Sequence, residues 1–306
     1  MEKRTNPRDV NSCYGTIGPS QDAVDMFFMG NGLAINDPNS GYDETGFGAV
    51  ENHCYDPDYK DKKTDQNISN MYANREPRFY ASVVYQGRSW FKKWMNGNPN
   101  YIVDFSAGGG NDLSNGDNVK TGYMLGKFKN RTVNHASGDT QSWKRVSIIY
   151  RLAEFYLFYA EALNETDPSH PDIIKYIDMV RERAGIPGYQ TMNDNGIKTG
   201  IIGNYDKQFD AIQHERYVEL YCEGQRYFDI RRWMICGDKD RIGCDQTRFY
   251  GMNMKGSKDK TPGEPTSYYT RTKVENRQWT DKLYLYPIHQ NVIELANGRI
   301  PQNYGW

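Results

Sequence analysis

The stretch AIQHERYVELYCEGQRYFDIRRW, residues 211–233, decides how the rest of this chain is read. Its period predicts one long helix, with Tyr217, Leu220, Tyr221, Gly224 and Phe228 recurring at helical intervals as an apolar stripe. Glu215, Arg216, Glu219, Glu223, Arg226 and Asp229 fill the other faces. Three pairs of opposite charge, Arg216 with Glu219, Glu223 with Arg226 and Arg226 with Asp229, stand three residues apart and within reach of each other. A glycine inside such a stripe costs about 1 kcal/mol against Ala, so Gly224 implies close approach of a neighbouring helix. The stretch contains no nucleophile and no metal-ligand pattern.

Working outward, residues 147–165 predict a second helix, with Leu152, Phe155, Tyr156, Tyr159 and Leu163 as its packing stripe. Pro171 suits a first helical position, Ile173, Ile177 and Val180 form the next stripe, and Gly185 ends it, so these two helices make a hairpin. Near the carboxyl end, residues 290–296 predict a short helix closed by Asn297 and Gly298. The amino-terminal part is different. Residues 1–75 are rich in Gly, Asn, Asp and Pro and read as irregular loops, with one short helix at 20–29 capped by Ser20 and carrying Val24, Phe27 and Phe28 on its apolar side. Alternation over 78–85 predicts a strand, and 122–128 a second short one. The expected organisation is a loop-rich ligand-binding part with short strands, 1–146, and a helical part, 147–306, together forming one mainly α unit.

With 38 basic and 39 acidic residues among 306, the chain lacks the electrostatic footprint of a nucleic-acid binder. Its mean hydropathy of -0.86 and the lack of a long apolar run exclude a transmembrane helix. Cys13, Cys54, Cys222, Cys236 and Cys244 form no CxxC pair; Cys236 and Cys244 flank a short loop and would pair only if their geometry allowed, unpaired thiols are expected, and Cys222 reads as a small core residue. The glycine run at 108–110 lacks the lysine of a phosphate loop, and residues 56–67 lack the glycine and terminal glutamate of a calcium loop. No cofactor and no metal site is expected.

A catalytic site would need paired carboxylates or an activated nucleophile. Glu154 and Glu161 lie about 10 Å apart by helix rise, a spacing open to an inverting glycosidase. Arg151, three residues from Glu154, favours ion pairing instead. The five histidines are scattered, and His214 reads as a solvated helix residue. Binding rests on aromatic residues, which make up 14% of the chain. Trp90 and Trp94 stand one helical turn apart, and Tyr101 follows after a turn. Indole and phenol faces suit sugar C–H faces, while Arg88, Asn96 and Asn98 offer partners for hydroxyls. Burial under a long loop explains the same tryptophans equally well.

Four motifs occur in order: RLAEFYLFYAEALNE at 151–165, IDMVRERAGIPGY at 177–189, ERYVELYCEGQRYFDIRRW at 215–233, and LYLYPIHQNVIELANGRIPQNYGW at 283–306. With weaker echoes at 74–87 and 122–128, they resemble the carboxyl-terminal portion of the SusD/RagB family, surface nutrient-binding lipoproteins of Bacteroidetes; His289 stands where proline is usual. The resemblance implies TPR-like paired helices with long irregular loops, here without the family's amino-terminal helical half. It also implies capture of a glycan or oligosaccharide without catalysis, delivery to a SusC-like TonB-dependent transporter, and location at the outer-membrane surface. Membrane contact would be through a lipid anchor that this chain does not contain. Alternatives are RagB-like peptide binding and a helical-repeat interaction scaffold; a glycoside hydrolase would need two carboxylates facing across a cleft. The resemblance points to loops preceding 151, and Trp90, Trp94, Tyr101, Asn96 and Arg88 are the candidate ligand contacts.

Overall fold

The computed structural model describes residues 5, 7, 13–52, 63–90, 101–114, 116–129, 148–241 and 244–306. In chain order its helices are α1 (Gln21–Asp25), α2 (Pro77–Ser82), α3 (Leu152–Thr166), α4 (Asp172–Arg183), α5 (Tyr189–Asp194), α6 (Tyr205–Glu219), α7 (Gln225–Arg232) and α8 (Gln290–Leu295). Short strands form three antiparallel pairs: β1 (Phe47–Asn52) with β2 (Lys63–Ser69), β3 (Val83–Val84) with β4 (Met124–Leu125), and β5 (Tyr250–Met252) with β6 (Arg271–Lys273). The fold is mainly helical with a few short strands. No described helix is long and apolar enough to cross a membrane.

Local chemistry explains the ends of several elements. The Ser20 hydroxyl accepts from the Ala23 amide and caps α1, while Gly185 follows α4 at φ +86°. The strand expected at 78–85 is largely α2. Pro77 at the first helical position supplies a preset φ, and the turn buries Phe79 and Tyr80, leaving only Val83 and Val84 to pair.

The helix expected over 211–233 is two helices. α6 ends at Glu219, Cys222 takes φ +60°, and Gly224 takes φ +88° before α7 begins. A Cβ on Gly224 would meet nothing within 4 Å. The glycine therefore serves the left-handed backbone of the turn, not the close approach of another helix. Cys222 lies exposed in that turn and not in a core; Cys222, Cys236 and Cys244 are thiols not joined in disulfides, and Cys54 lies outside the described residues.

The hairpin of α3 and α4 forms, but α3 is rotated from its expected orientation. It buries Ala153, Leu157 and Ala160, and leaves Leu152 63% and Phe155 55% exposed. Small alanines let α4 and α6 pack close to α3, and the larger residues are displaced to the outside. One hydrophobic cluster joins these helices through Leu157, Ile173, Ile177, Val180, Met192 and Ile212. The other is aromatic and gathers residues from both ends of the chain: Phe27, Tyr72, Phe79, Tyr85, Tyr123 and Tyr268. Tyr72 stacks on Tyr85 at 4.7 Å and Phe79 on Tyr85 at 5.6 Å. Buried hydroxyls in this cluster find partners: Tyr123 donates to Gln21 Oε1 at 2.6 Å, and Tyr268 donates to the Gly122 carbonyl. Much of the chain's aromatic content is thus core material.

Candidate functional site

Charged side chains at the end of α6 point inward, with Glu215, Arg216 and Glu219 buried together with Asp229 of α7. Arg78 reaches Glu215 at 2.6 Å and Glu219 at 3.0 Å, and Arg181 meets Glu215 from α4 at 3.2 Å. Arg151 and Arg183 also pair with Glu219, and Lys127 and Arg151 pair with Glu223. Burial alone would raise the Glu219 carboxyl, but Arg78, Arg151 and Arg183 outweigh it and hold it at about 2. Arg216 grips Asp229 through two 3.0 Å hydrogen bonds, tying α6 to α7. These long-range pairs replace the three-residue pairs expected along one helix.

Of the two candidate catalytic carboxylates, Glu161 is tied into this framework and Glu154 is buried beside it. Glu161 accepts from both Arg232 and the Trp233 indole, while Glu154 is buried, which pushes its carboxyl up; Arg151 is engaged with Glu219 and Glu223. His214 is likewise not a solvated residue. It stacks on Phe28 at 4.1 Å, its Nε2–H donates to the Met26 carbonyl, and burial drives its pKa down to about 4. Among the described residues, no group of His, Cys, Asp or Glu side chains is arranged to hold a metal ion.

Three clefts follow α6 and α7 and share lining residues. The first, about 670 Å³, lies between the 28–39 segment and α6, with Phe28, Tyr189, Asn36, Lys198, Lys207 and His214 in its wall. The second, about 440 Å³, shares Asp210 and His214 with it and adds Arg226 and Arg241. Arg226 also lines the third, about 380 Å³, where Arg231, Arg248 and Arg277 converge. The volumes fall in or near the range of about 300–1,000 Å³ typical of small-ligand sites. Their walls mix apolar and aromatic side chains with amides, carboxylates, guanidiniums and, in the first cleft, ammonium groups, a lining chemically suited to sugars and short peptides.

The arginines of the third cleft rest on aromatic faces. Arg231 stacks on Tyr227 at 3.6 Å, Arg277 on Phe249 at 3.8 Å, and Arg226 on Tyr217 at 4.3 Å. Beside them α7 and the carboxyl-terminal segment bring together aromatic rings, of which Tyr227 and Tyr286 are exposed and Trp279 and Tyr284 partly buried. The Tyr227 hydroxyl bonds that of Tyr286, and Trp279 meets Tyr284 edge-on at 5.0 Å.

The sequence-derived contacts do not all reach the surface. Trp90 is 2% exposed and Arg88 1%, with Arg88 Nη1 donating to the Val83 carbonyl. Tyr101 is partly buried against the aromatic cluster, and its hydroxyl accepts from Asn111 at 3.2 Å. Trp94, Asn96 and Asn98 lie outside the described residues.

A family model described as the SusD family matches residues 1–306. The chain belongs to the SusD family. Among solved structures it resembles BT4246, with 25% identity and a TM-score of 0.75 over 99% of this chain and 48% of that one. It also resembles a SusD-like protein (BF3747) from Bacteroides fragilis, with 27% identity and a TM-score of 0.66 over 97% of this chain and 48% of that one. SusD-like protein P2 of Formosa agariphila is 37% identical over 82 residues, which are 27% of this chain and 16% of that protein. The chain spans about half the length of the solved relatives it matches.

In this SusD-family chain, sequence reasoning missed the arginine–aromatic surface of α7 and residues 277–286. The available signal was density: QRYFDIRRW and RQWTDKLYLY crowd arginine, tyrosine and tryptophan into short segments. Only the fold shows that the two segments meet.

Proposed function

We propose that this SusD-family chain is a binding component that captures a nutrient glycan or oligosaccharide at the outer-membrane surface and passes it to a SusC-like TonB-dependent transporter. Membership of the SusD family over residues 1–306 carries the proposal. The linked clefts along α6 and α7 support it, because a run of adjoining concavities suits a chain of sugar units better than a single small molecule. The engagement of Glu161 with Arg232 and Trp233 fits binding without bond cleavage.

The segment 88–101 remains a candidate contact region. Trp94 and Asn96 would meet the sugar beside Tyr101, while buried Trp90 and Arg88 would root the segment in the core. Isothermal titration against neutral oligosaccharides and short peptides tests this. Saturable sugar binding, weakened about tenfold by Trp94→Ala through loss of one stacking face, is the expected result. Binding of peptides alone would replace glycan capture with peptide capture, and unchanged affinity in Trp94→Ala would remove that residue from the site.

A further inference from the structure

We infer that the cleft between α7 and residues 245–249 is a subsite for an anionic sugar unit, one carrying a carboxylate or sulfate. The inference rests on the glycan-binding proposal and adds the charge class of the ligand.

Four guanidiniums, Arg226, Arg231, Arg248 and Arg277, line this cleft against two carboxylates, Asp22 and Asp245. One carboxylate is already engaged with an arginine: Asp22 pairs with Arg248 at 3.0 Å. Asp245 directs Oδ1 to the Thr247 amide and hydroxyl. Among the described residues Arg231 has no carboxylate within ion-pair distance; it donates to the Tyr227 carbonyl at 3.1 Å, which leaves other guanidinium donors. Arg277 pairs at 3.2 Å with Glu275, which does not line the cleft, and both side chains are well exposed. The cleft thus holds more positive than negative charge in a chain whose net charge is only -1. The excess is local and not a consequence of a basic protein.

Preorganisation adds to this charge. Stacking on Tyr227, Phe249 and Tyr217 restrains the planes of Arg231, Arg277 and Arg226; Arg226 Nη2 also donates to Cys244 Sγ and Arg277 uses Nε and Nη2 on the exposed Glu275, so an anionic ligand is met first by Arg231 and by Nη1 of Arg277. A planar fork of donors matches the paired oxygens of a carboxylate or sulfate. The exposed rings of Tyr227 and Tyr286 beside the cleft offer faces for the neighbouring sugar C–H groups.

The test is calorimetric titration of the full chain with trigalacturonate, its fully methyl-esterified form, a sulfated galactose trisaccharide and neutral galactotriose. The carboxylate and sulfate arms identify which anionic group is accepted. At least one anionic sugar should bind about tenfold or more tighter than its neutral counterpart, and affinity should fall as salt rises from about 50 to 300 mM. Arg231→Gln and Arg277→Gln should each weaken that binding about tenfold, the scale of one charge-assisted hydrogen bond; circular dichroism checks that both variants fold. Equal affinity for charged and neutral forms, no binding of either anionic sugar, or unchanged binding in both variants would overturn the subsite. Neutral sugars that still bind in those cases would leave glycan capture standing, whereas failure of every sugar would remove both.

Discussion

His214 shows how a single side chain acquires its chemistry from its neighbours. Stacked on Phe28 and bonded to the Met26 carbonyl, it is held neutral with a pKa of about 4, against an ordinary value of 6.5. Its folded pKa is depressed, so the unfolded chain binds a proton first as pH falls. The stability it supports is fully present above pH 6.5 and is lost between pH 6.5 and 4. Urea denaturation midpoints should therefore decline through this window in the wild-type chain and decline less steeply in His214→Gln. An unaltered slope in the variant would show that other groups control it. Glu219 acts at lower pH. Its carboxyl, held at about 2 against 4.5, supports stability above pH 4.5 that disappears as pH falls toward 2.

At the scale of elements, the break between α6 and α7 determines how the carboxylates are used. A continuous helix would carry Arg216 and Asp229 along one axis, whereas the turn folds them into a two-bond pair. Gly224 makes the turn accessible, since a side chain at φ +88° is strained even with open space around it. Gly224→Ala should lower unfolding free energy by about 1–2 kcal/mol, measured by urea denaturation; no loss would show that the turn can relax. The amino-acid pattern identified the helix-forming segments 152–166 and 172–183 well, because their apolar spacing is regular. It misjudged which face of α3 is buried. Helical periodicity ranks faces by hydrophobicity, and here Glu161, paired with Arg232, and Glu154, near the Arg216 charge, face inward while Leu152 and Phe155 face out.

Over the whole molecule, this outward face leaves an apolar strip from Ile148 to Tyr159 on a chain about half as long as its solved relatives. Apolar strips of this kind mark interaction faces or aggregation liabilities. The isolated, folded chain should bind a hydrophobic dye, and the double variant Leu152→Glu, Phe155→Glu should bind less of it with a melting temperature changed by no more than a few degrees, because exposed substitutions alter stability little, by about 0.5 kcal/mol. A large fall in melting temperature would place these residues in a packed interior.

The sequence by itself determined the family, through four ordered motifs, and the mainly helical class, through regular apolar spacing. It also placed local signals such as Ser20 before α1 and Gly185 after α4, which act within a few residues and so are legible along the chain. Tertiary structure alone decided which charges are buried and which aromatics are exposed. Arg78 finds Glu215 across 137 positions, and Tyr227 finds Tyr286 across 59. The same tryptophan or arginine serves as core or contact according to what the fold brings against it, and that is why Trp90 and Arg88 are buried while the arginine–aromatic cleft beside α7 remains open.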